Sequence, residues 1–347
     1  MKDYVKIYNA LDEKQARTEK ERIEKLQANG LYPHSFDFPM TLQFELTSHC
    51  NVYCKHCYNY SGENNTSKDA MTPEKWIEFT KYIVKNGGIF ECIISGGEPL
   101  LLGEDLFKIM DILHEDGVYF LLITNGFLLN SEKVKRLSKY RYHWLQVSID
   151  GADAKTHDEF RRREGSWERA IDAAFMVSAA GIPLTIAHSV TPYNLKDVDK
   201  MCDLAYSLGA SNIILGEINL SGRTSENKDL LLNREEHALL LQKYEENFNK
   251  YLGRMLIQRS LNTKYSINKY ITRPNSGLII RPNGDMRLDC MVPFVIGNVL
   301  KDDFVKIWKE KGISCWSDPK ILEYASSFND EDISTMITNY ADKDILI

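Results

Sequence analysis

Apolar residues along this 347-residue chain recur with two different periods, and the points where the period changes divide it into segments. Up to about residue 30 the pattern is helical. Tyr4, Val5, Tyr8 and Leu11 share one side and mixed charges take the rest, which predicts a charged helix packed on the main domain. The run Tyr32-Pro33-His34-Ser35-Phe36-Asp37-Phe38-Pro39 reads as a linker punctuated by two prolines. From residue 41 to about 255, short apolar runs alternate with longer amphipathic ones. Strands are predicted at 41–47, 90–95, 118–124, 143–149, 182–190 and 211–218, and helices at about 72–86, 104–116, 131–139, 166–180, 195–208 and 233–253. Thr72-Pro73-Glu74 and Ser131-Glu132 are good helix starts, and Gly117, Gly181 and Gly209 are good stops. Such alternation implies right-handed crossovers and a parallel α/β sheet. Periodicity fits an open doubly wound sheet and a partial barrel equally; in both, sites gather at the C-terminal ends of strands.

Past residue 255 the alternation stops. Residues 277–290 read as a hairpin, with Pro282-Asn283-Gly284 turning between two apolar runs. A short helix around 302–310 and a polar C-terminal segment follow. The pattern therefore predicts a helical extension and linker over 1–39, a main domain over 40–255 and a smaller C-terminal domain over 256–347.

Composition narrows the class without changing this outline. Hydrophobic residues at 43% and charged residues at 27% are those of an ordinary soluble globular protein. A net charge of −6 favours neither nucleic acid nor an anionic membrane as partner. No apolar run approaches membrane-spanning length, and Met1-Lys2-Asp3-Tyr4 opens no signal peptide. Seven cysteines in such a chain point to a reducing cytoplasm and to metal ligation rather than disulfides.

Cys50, Cys54 and Cys57 stand at C-x-x-x-C-x-x-C spacing just after the first predicted strand. Three thiolates can hold three irons of a [4Fe–4S] cluster and leave the fourth open to a substrate or cofactor. A zinc site and three unrelated thiols are the other readings of the spacing. Zinc motifs usually bring a second ligand pair at a set distance, and none follows. At the end of the second strand, Gly96 and Gly97 permit close backbone approach, Glu98 offers a carboxylate, and Pro99 follows. His188 and Glu217 lie near the ends of the fifth and sixth strands, where a polar side chain is either satisfied in place or available to a substrate.

The loop Cys50-Asn51-Val52-Tyr53-Cys54-Lys55-His56-Cys57-Tyr58, with Gly96-Gly97-Glu98-Pro99 and Thr124-Asn125-Gly126, resembles the radical S-adenosylmethionine (radical SAM) enzymes. The ordered series Ser148-Ile149-Asp150-Gly151, His157-Asp158, Arg161 and Gly165-Ser166 resembles the branch with a C-terminal SPASM domain. The resemblance implies a partial (β/α)6 TIM-like barrel with a small SPASM-like α+β cap. It implies a [4Fe–4S] cluster on the three cysteines and SAM on its open iron, cleaved to methionine and a 5′-deoxyadenosyl radical that abstracts hydrogen from a substrate. It further implies that His56 lies near the adenine, that the Gly96–Pro99 turn meets the SAM ammonium, and that Ser148 and Arg161 bind its carboxylate. Asn125 belongs to the same binding turns, Asp150 would lie near the ribose and Leu215 near the adenine. His188 and Glu217 would be catalytic groups facing the substrate.

The C-terminal region resembles a SPASM domain through Ile280-x-Pro282-Asn283-Gly284, Cys290 and Ile296-Gly297-Asn298-Val299 with Ile307-Trp308. Two thiols, Cys290 and Cys315, are too few for an ordinary auxiliary cluster, so the expected cap is degenerate. Cys92 and Cys202 read as small apolar residues. Relatives of this kind act mostly on ribosomally made peptides and less often on a sugar or aminocyclitol. The implied partners are such a substrate, a flavodoxin or ferredoxin as electron donor, and a separate leader-recognition protein. A non-catalytic SAM- or cluster-binding scaffold is the reading from another class.

Overall fold

The computed structural model of the chain describes residues 2–62, 69–261, 263–328, 337–339 and 344–347. Each predicted strand between 41 and 218 forms: β1 (Thr41–Glu45), β2 (Glu91–Ser95), β3 (Tyr119–Thr124), β4 (Tyr142–Ser148), β5 (Leu184–Val190) and β6 (Asn212–Glu217). The helices are α1 (Tyr4–Ala28), α2 (Pro73–Asn86), α3 (Glu104–Glu115), α4 (Ser131–Leu137), α5 (Ala154–Arg161), α6 (Ser166–Ala179), α7 (Val198–Ser207) and α8 (Arg234–Tyr251).

α2 shows how locally these elements are specified. Thr72 caps it by accepting from the Lys75 amide, and Pro73 takes a first-turn position where its missing N–H costs nothing. Trp76, Phe79, Thr80 and Ile83 fall on one face and are buried; Trp76 packs against Phe44 of β1 with ring centres 5.1 Å apart. Burying an apolar side chain of this size stabilises by about 1.5–3 kcal/mol, and Trp76→Ala would cost about 3–5 kcal/mol.

The alternation does not stop at 255. Leu256–Arg259 forms β8, parallel to β6, and Thr263–Ile271 forms α9. Gly277–Ile280 forms β9, which pairs in parallel with β1 at the opposite edge. β9 is the first arm of the expected hairpin and adds the pairing with β1, whereas β8 is four residues long, too short for its periodicity to stand out. α5 is missed in the same way: eight residues, capped by Asp153 and stopped at Arg162, whose φ of 52° is left-handed. The Leu220–Ser221 strand (β7) pairs with Ile337–Asn339 (β12) in a separate ribbon. Asp285–Arg287 (β10) returns antiparallel to β9 through the expected Pro282-Asn283-Gly284 turn. Phe294–Asn298 (β11) and Ile345–Leu346 (β13) complete that flank, with α10 (Phe304–Glu310) and α11 (Pro319–Ser326) packed nearby.

The main sheet runs β13-β11-β10-β9-β1-β2-β3-β4-β5-β6-β8, parallel from β9 to β8, and its two ends do not pair, so it stays open. The C-terminal hairpin continues the sheet from the β1 edge instead of standing apart. Register divides the sheet into two faces. Phe44, Ile94, Leu122, Leu145, Val147, Ile186, Ile213 and Ile257 point to the helices and form the core. The other, inner face carries Gln43, Ser95, Gln146, Ser148 and Ser189.

α1 packs against α8 and α9. Its buried stripe centres on Asp12 and Ile23, whereas Leu11, expected on that side, is exposed. Asp12 pairs with Arg259, whose guanidinium lies 4.6 Å from the centre of the Tyr8 ring. No helix among the described residues is long and apolar enough to cross a membrane.

Candidate functional site

The cysteine loop leaves the C-terminal end of β1 and is held from the β2 turn and from the segment after β6. Cys50, Val52 and Cys54 form a small buried cluster of their own, and Cys57 packs against it. From β2, Gly97 N–H donates to the Thr47 carbonyl at 2.6 Å and Glu98 N–H to the His49 carbonyl at 2.9 Å. A Cβ on Gly97 would stand 2.0 Å from the His49 oxygen, so the close approach needs glycine. After β6, Arg223 donates through Nε to the Cys54 carbonyl at 2.8 Å and through Nη2 to the Ser61 carbonyl at 2.5 Å. Its backbone N–H reaches the Cys57 carbonyl at 3.0 Å. Gly222, at φ +51°, lies so close to Cys57 and Tyr58 that a Cβ would sit 2.3 Å from the Cys57 oxygen.

The donor set fits an iron–sulfur cluster. Burial pushes the Cys50 thiol up to about 12, with the Glu98 carboxylate adding to it, and burial likewise pushes Cys54 up to about 11. These thiols stay neutral until a cation joins them, and bound iron is such a cation. Among the described residues no three His, Cys, Asp or Glu side chains converge on a single ion; a cubane meets each thiolate through a different iron. Asn125 Nδ2 lies 3.7 Å from Cys50 Sγ and 2.8 Å from Asn51 Oδ1, placing an amide donor beside the sulfur.

Several residues expected to meet SAM are engaged within the protein. Glu98 is fully buried: Oε1 accepts from Leu100 N–H and Thr124 Oγ1, and Oε2 from Asn125 N–H. Burial lifts it to about 7 despite these bonds. It ties the β2 turn to the β3 turn, so its carboxylate is not free for an ammonium group. Pro99 begins the 3-10 turn Pro99–Leu102 and is buried. Arg161 turns its fork on Asp150, with Nε and Nη2 at 2.7 and 2.6 Å from Oδ2. Asp150 Oδ1 takes the Ser189 N–H at 2.7 Å. Burial alone would raise Asp150; the Arg161 guanidinium overrides it and holds the carboxyl well below the usual range. This pair is closed on itself, and Arg161 shapes the floor of the site instead of offering a free guanidinium to a carboxylate.

His56 stacks on Phe160 at 4.6 Å and reaches Ser189 Oγ at 3.4 Å. Burial drives it down to about 4, so the ring is neutral. Ser148 lies on the inner face, one strand from Ser189. His188 and Leu215 do not. They follow Ile186 and Ile213 onto the helix-facing side, where His188 Nδ1 meets the Ile149 carbonyl at 3.1 Å and Leu215 joins the core. A substrate on the inner face would meet neither side chain. Glu217 continues the same side and pairs with His237 of α8 at 2.9 Å. The structure thus brings together the cysteines, His56, Gly96, Gly97, Asn125, Ser148, Asp150 and Arg161, and sets His188, Leu215 and Glu217 behind the sheet.

Sequence reading passed over the polar inner face. Glu45, Gln43 and Ser95 line it at the end of β1 and β2, with Gln43 Nε2 donating to Ser95 Oγ at 2.9 Å and Tyr58 O–H to Glu45 Oε1 at 2.6 Å. Polar residues at alternate positions of otherwise apolar strands were the available signal. His237 stands in a helix with no motif around it, and nothing in the sequence singles it out.

A parallel α/β sheet, open at its seam and carrying a three-cysteine loop at the end of its first strand, defines a partial-barrel protein with a cluster-type thiol site. The Radical SAM superfamily model matches residues 44–205, and the chain carries a radical SAM domain. The AdoMet-dependent heme synthase of Methanosarcina barkeri is 36% identical over 172 residues, covering 50% of this chain and 48% of that protein. The antilisterial bacteriocin subtilosin biosynthesis protein AlbA of Bacillus subtilis is 24% identical over 310 residues, covering 88% and 67%. The chain thus spans about half of the first and two thirds of the second. The crystal structure of Streptococcus suis SuiB bound to precursor peptide SuiA superposes with a TM-score of 0.64 at 16% identity, covering 91% of this chain and 71% of that one; the likeness is one of fold. The radical SAM family uses a [4Fe–4S] cluster and SAM.

Proposed function

We propose that the protein is a radical SAM enzyme acting on a ribosomally synthesised peptide. The observation that carries it is the three-cysteine loop, gripped by Gly97, Gly222 and Arg223 at the C-terminal end of β1 within the radical SAM domain. Cys50, Cys54 and Cys57 would hold the cluster. When bound, cluster and SAM supply a 5′-deoxyadenosyl radical that takes a hydrogen atom from the substrate. Around it, neutral His56 offers a flat face to the adenine, Ser148 a hydroxyl from the inner face, and the backbone of Gly96 and Gly97 a close approach. Asn125 orders the Cys50 sulfur, and the Asp150–Arg161 pair fixes the Ser189 amide. The inner-face groups Gln43, Glu45 and Ser189 are placed to hydrogen-bond a substrate.

The peptide reading is supported by the names of AlbA and of SuiB with its precursor peptide. An electron donor such as flavodoxin or ferredoxin, and a separate leader-recognition protein, belong to the same proposal. The heme synthase likeness favours a second reading, a heme precursor as substrate. Incubating the reconstituted protein with α-deuterated peptides encoded beside its gene decides between them. Deuterium appearing in 5′-deoxyadenosine is expected; its absence, with transfer from a heme precursor instead, would overturn the peptide reading.

A further inference from the structure

Behind the sheet, at the same end as the cysteines, lies a cavity of about 640 Å³ between the first turns of α1, the loop after β6, the start of α8 and the end of β8. That volume falls among pockets that enclose drug-sized ligands, a few peptide residues in extent. Its walls are fixed in advance. Buried Asp12 of α1 is paired with partly buried Arg259 in one wall, and Arg259 also lies 5.8 Å from the Tyr244 ring, so α1 is a built side of the cavity.

The lining mixes charges of both signs with no run of either. Arg259 pairs with Asp12, His237 Nδ1 lies 2.9 Å from Glu217 Oε2, and Arg234 stands 3.9 Å from Asp3. Lys6 and Glu13 add one charge of each sign. Such a lining has no field that selects a strongly anionic or cationic ligand, and a neutral chain of amides fits it without separating the Asp12–Arg259 pair. Asn219 and Ser260 offer polar atoms, and Val5 and Leu261 offer apolar surface. The loop at Ile218 and Asn219 runs on through β7 to Arg223, which grips the Cys54 carbonyl. The cavity is therefore one short loop away from the cysteine site.

We infer that this cavity is a docking subsite for an uncharged segment of the substrate peptide outside the residue that reacts, and that α1 forms its outer wall. The inference rests on the peptide reading above. Docking at a distance from the reacting atom supplies binding energy that positions the reacting residue on the inner face.

The test uses the full, reconstituted chain and fluorescein-labelled copies of the peptides encoded beside its gene. Val5 lines the cavity on the first turn of α1 and is half-buried, so Val5→Trp fills space without removing a hydrogen bond. Fluorescence anisotropy is expected to show peptide Kd raised by about tenfold or more in Val5→Trp, with iron content and peptide-free SAM cleavage unchanged. As a second measurement, the photo-crosslinker p-benzoylphenylalanine placed at Val5 is expected to capture the peptide. Unchanged Kd with no crosslink, while the peptide is still modified, would overturn the subsite and leave the peptide reading standing. A wild-type protein that binds none of the peptides would overturn both.

Discussion

Arg223 is the side chain whose removal should most directly loosen the cysteine loop. It is 1% exposed and makes two charge-assisted bonds to the loop, to the carbonyls of Cys54 at 2.8 Å and Ser61 at 2.5 Å. Its guanidinium also covers the Tyr53 ring at 3.9 Å. Hydrogen bonds to a charged group contribute about 1.5–3 kcal/mol each, and a desolvated cation–π contact about 1–2 kcal/mol. Arg223→Met keeps most of the volume but removes all three, taking the donor from the Ser61 carbonyl and leaving the Cys54 carbonyl only the Cys57 N–H at 3.3 Å. A loss of about 4–6 kcal/mol in loop order follows, if part of the gap is filled by water. That corresponds to about a thousandfold or more in the equilibrium between ordered and open loop. The assay is bleaching of the reconstituted cluster by an iron chelator, followed in the visible spectrum. Arg223→Met should bleach at least about tenfold faster than wild type, and Arg223→Lys, a point charge without the planar fork, should fall between. Equal bleaching rates and equal iron content in wild type and Arg223→Met would refute the grip.

Arg161→Met strands the Asp150 carboxylate in the interior and should cost about 3–5 kcal/mol in urea unfolding, with much of it restored by adding Asp150→Asn. No recovery in the double variant would contradict the closed pair. Because Asp150 is held below its unfolded value, this stabilisation is complete above the unfolded pKa of about 4 and is lost as pH falls further. Glu98 has the opposite sign. Raised by burial from 4.5 to about 7, it binds its proton more tightly in the folded chain, so its contribution is complete below about pH 4.5 and fades as pH rises through about 7. The apo-protein should lose stability over that interval and Glu98→Gln should flatten the slope; a wild-type curve already flat there would refute the assignment.

What could be read in advance follows from which signals are local. The caps of α2 and α4 and the Asn-Gly turn at 283–284 act within a few residues, so the elements fell where the pattern placed them. The cysteine spacing and the two glycines mark the loop for the same reason. β8 and α5 escaped because four to eight residues carry too little periodicity, and β9 was expected only as a hairpin arm, its parallel pairing with β1 being a long-range contact that no local signal carries. The side chains of His188 and Glu217 were misplaced by a subtler limit. A strand tells which residues alternate but not which of its faces turns inward, and one step of phase moves a side chain from substrate to helix. His188 shares its face with Ile186, and only the register of β5 against its neighbours shows that. Arg161 was legible as a cation and not as a partner of Asp150, since their meeting depends on how α5 folds back on the end of β4.

Everything proposed for this protein depends on Cys50, Cys54 and Cys57 carrying a cluster that cleaves SAM. The most direct measurement is the yield of 5′-deoxyadenosine and methionine from the anaerobically reconstituted, dithionite-reduced protein, taken together with iron per chain. Wild type is expected to hold close to four irons per chain, as one cubane requires, and to release both products, while the Cys50→Ala, Cys54→Ala, Cys57→Ala triple variant holds almost no iron and releases neither. Iron retained by the triple variant, or a wild-type protein with its full cluster and bound SAM that yields no 5′-deoxyadenosine, would contradict the account.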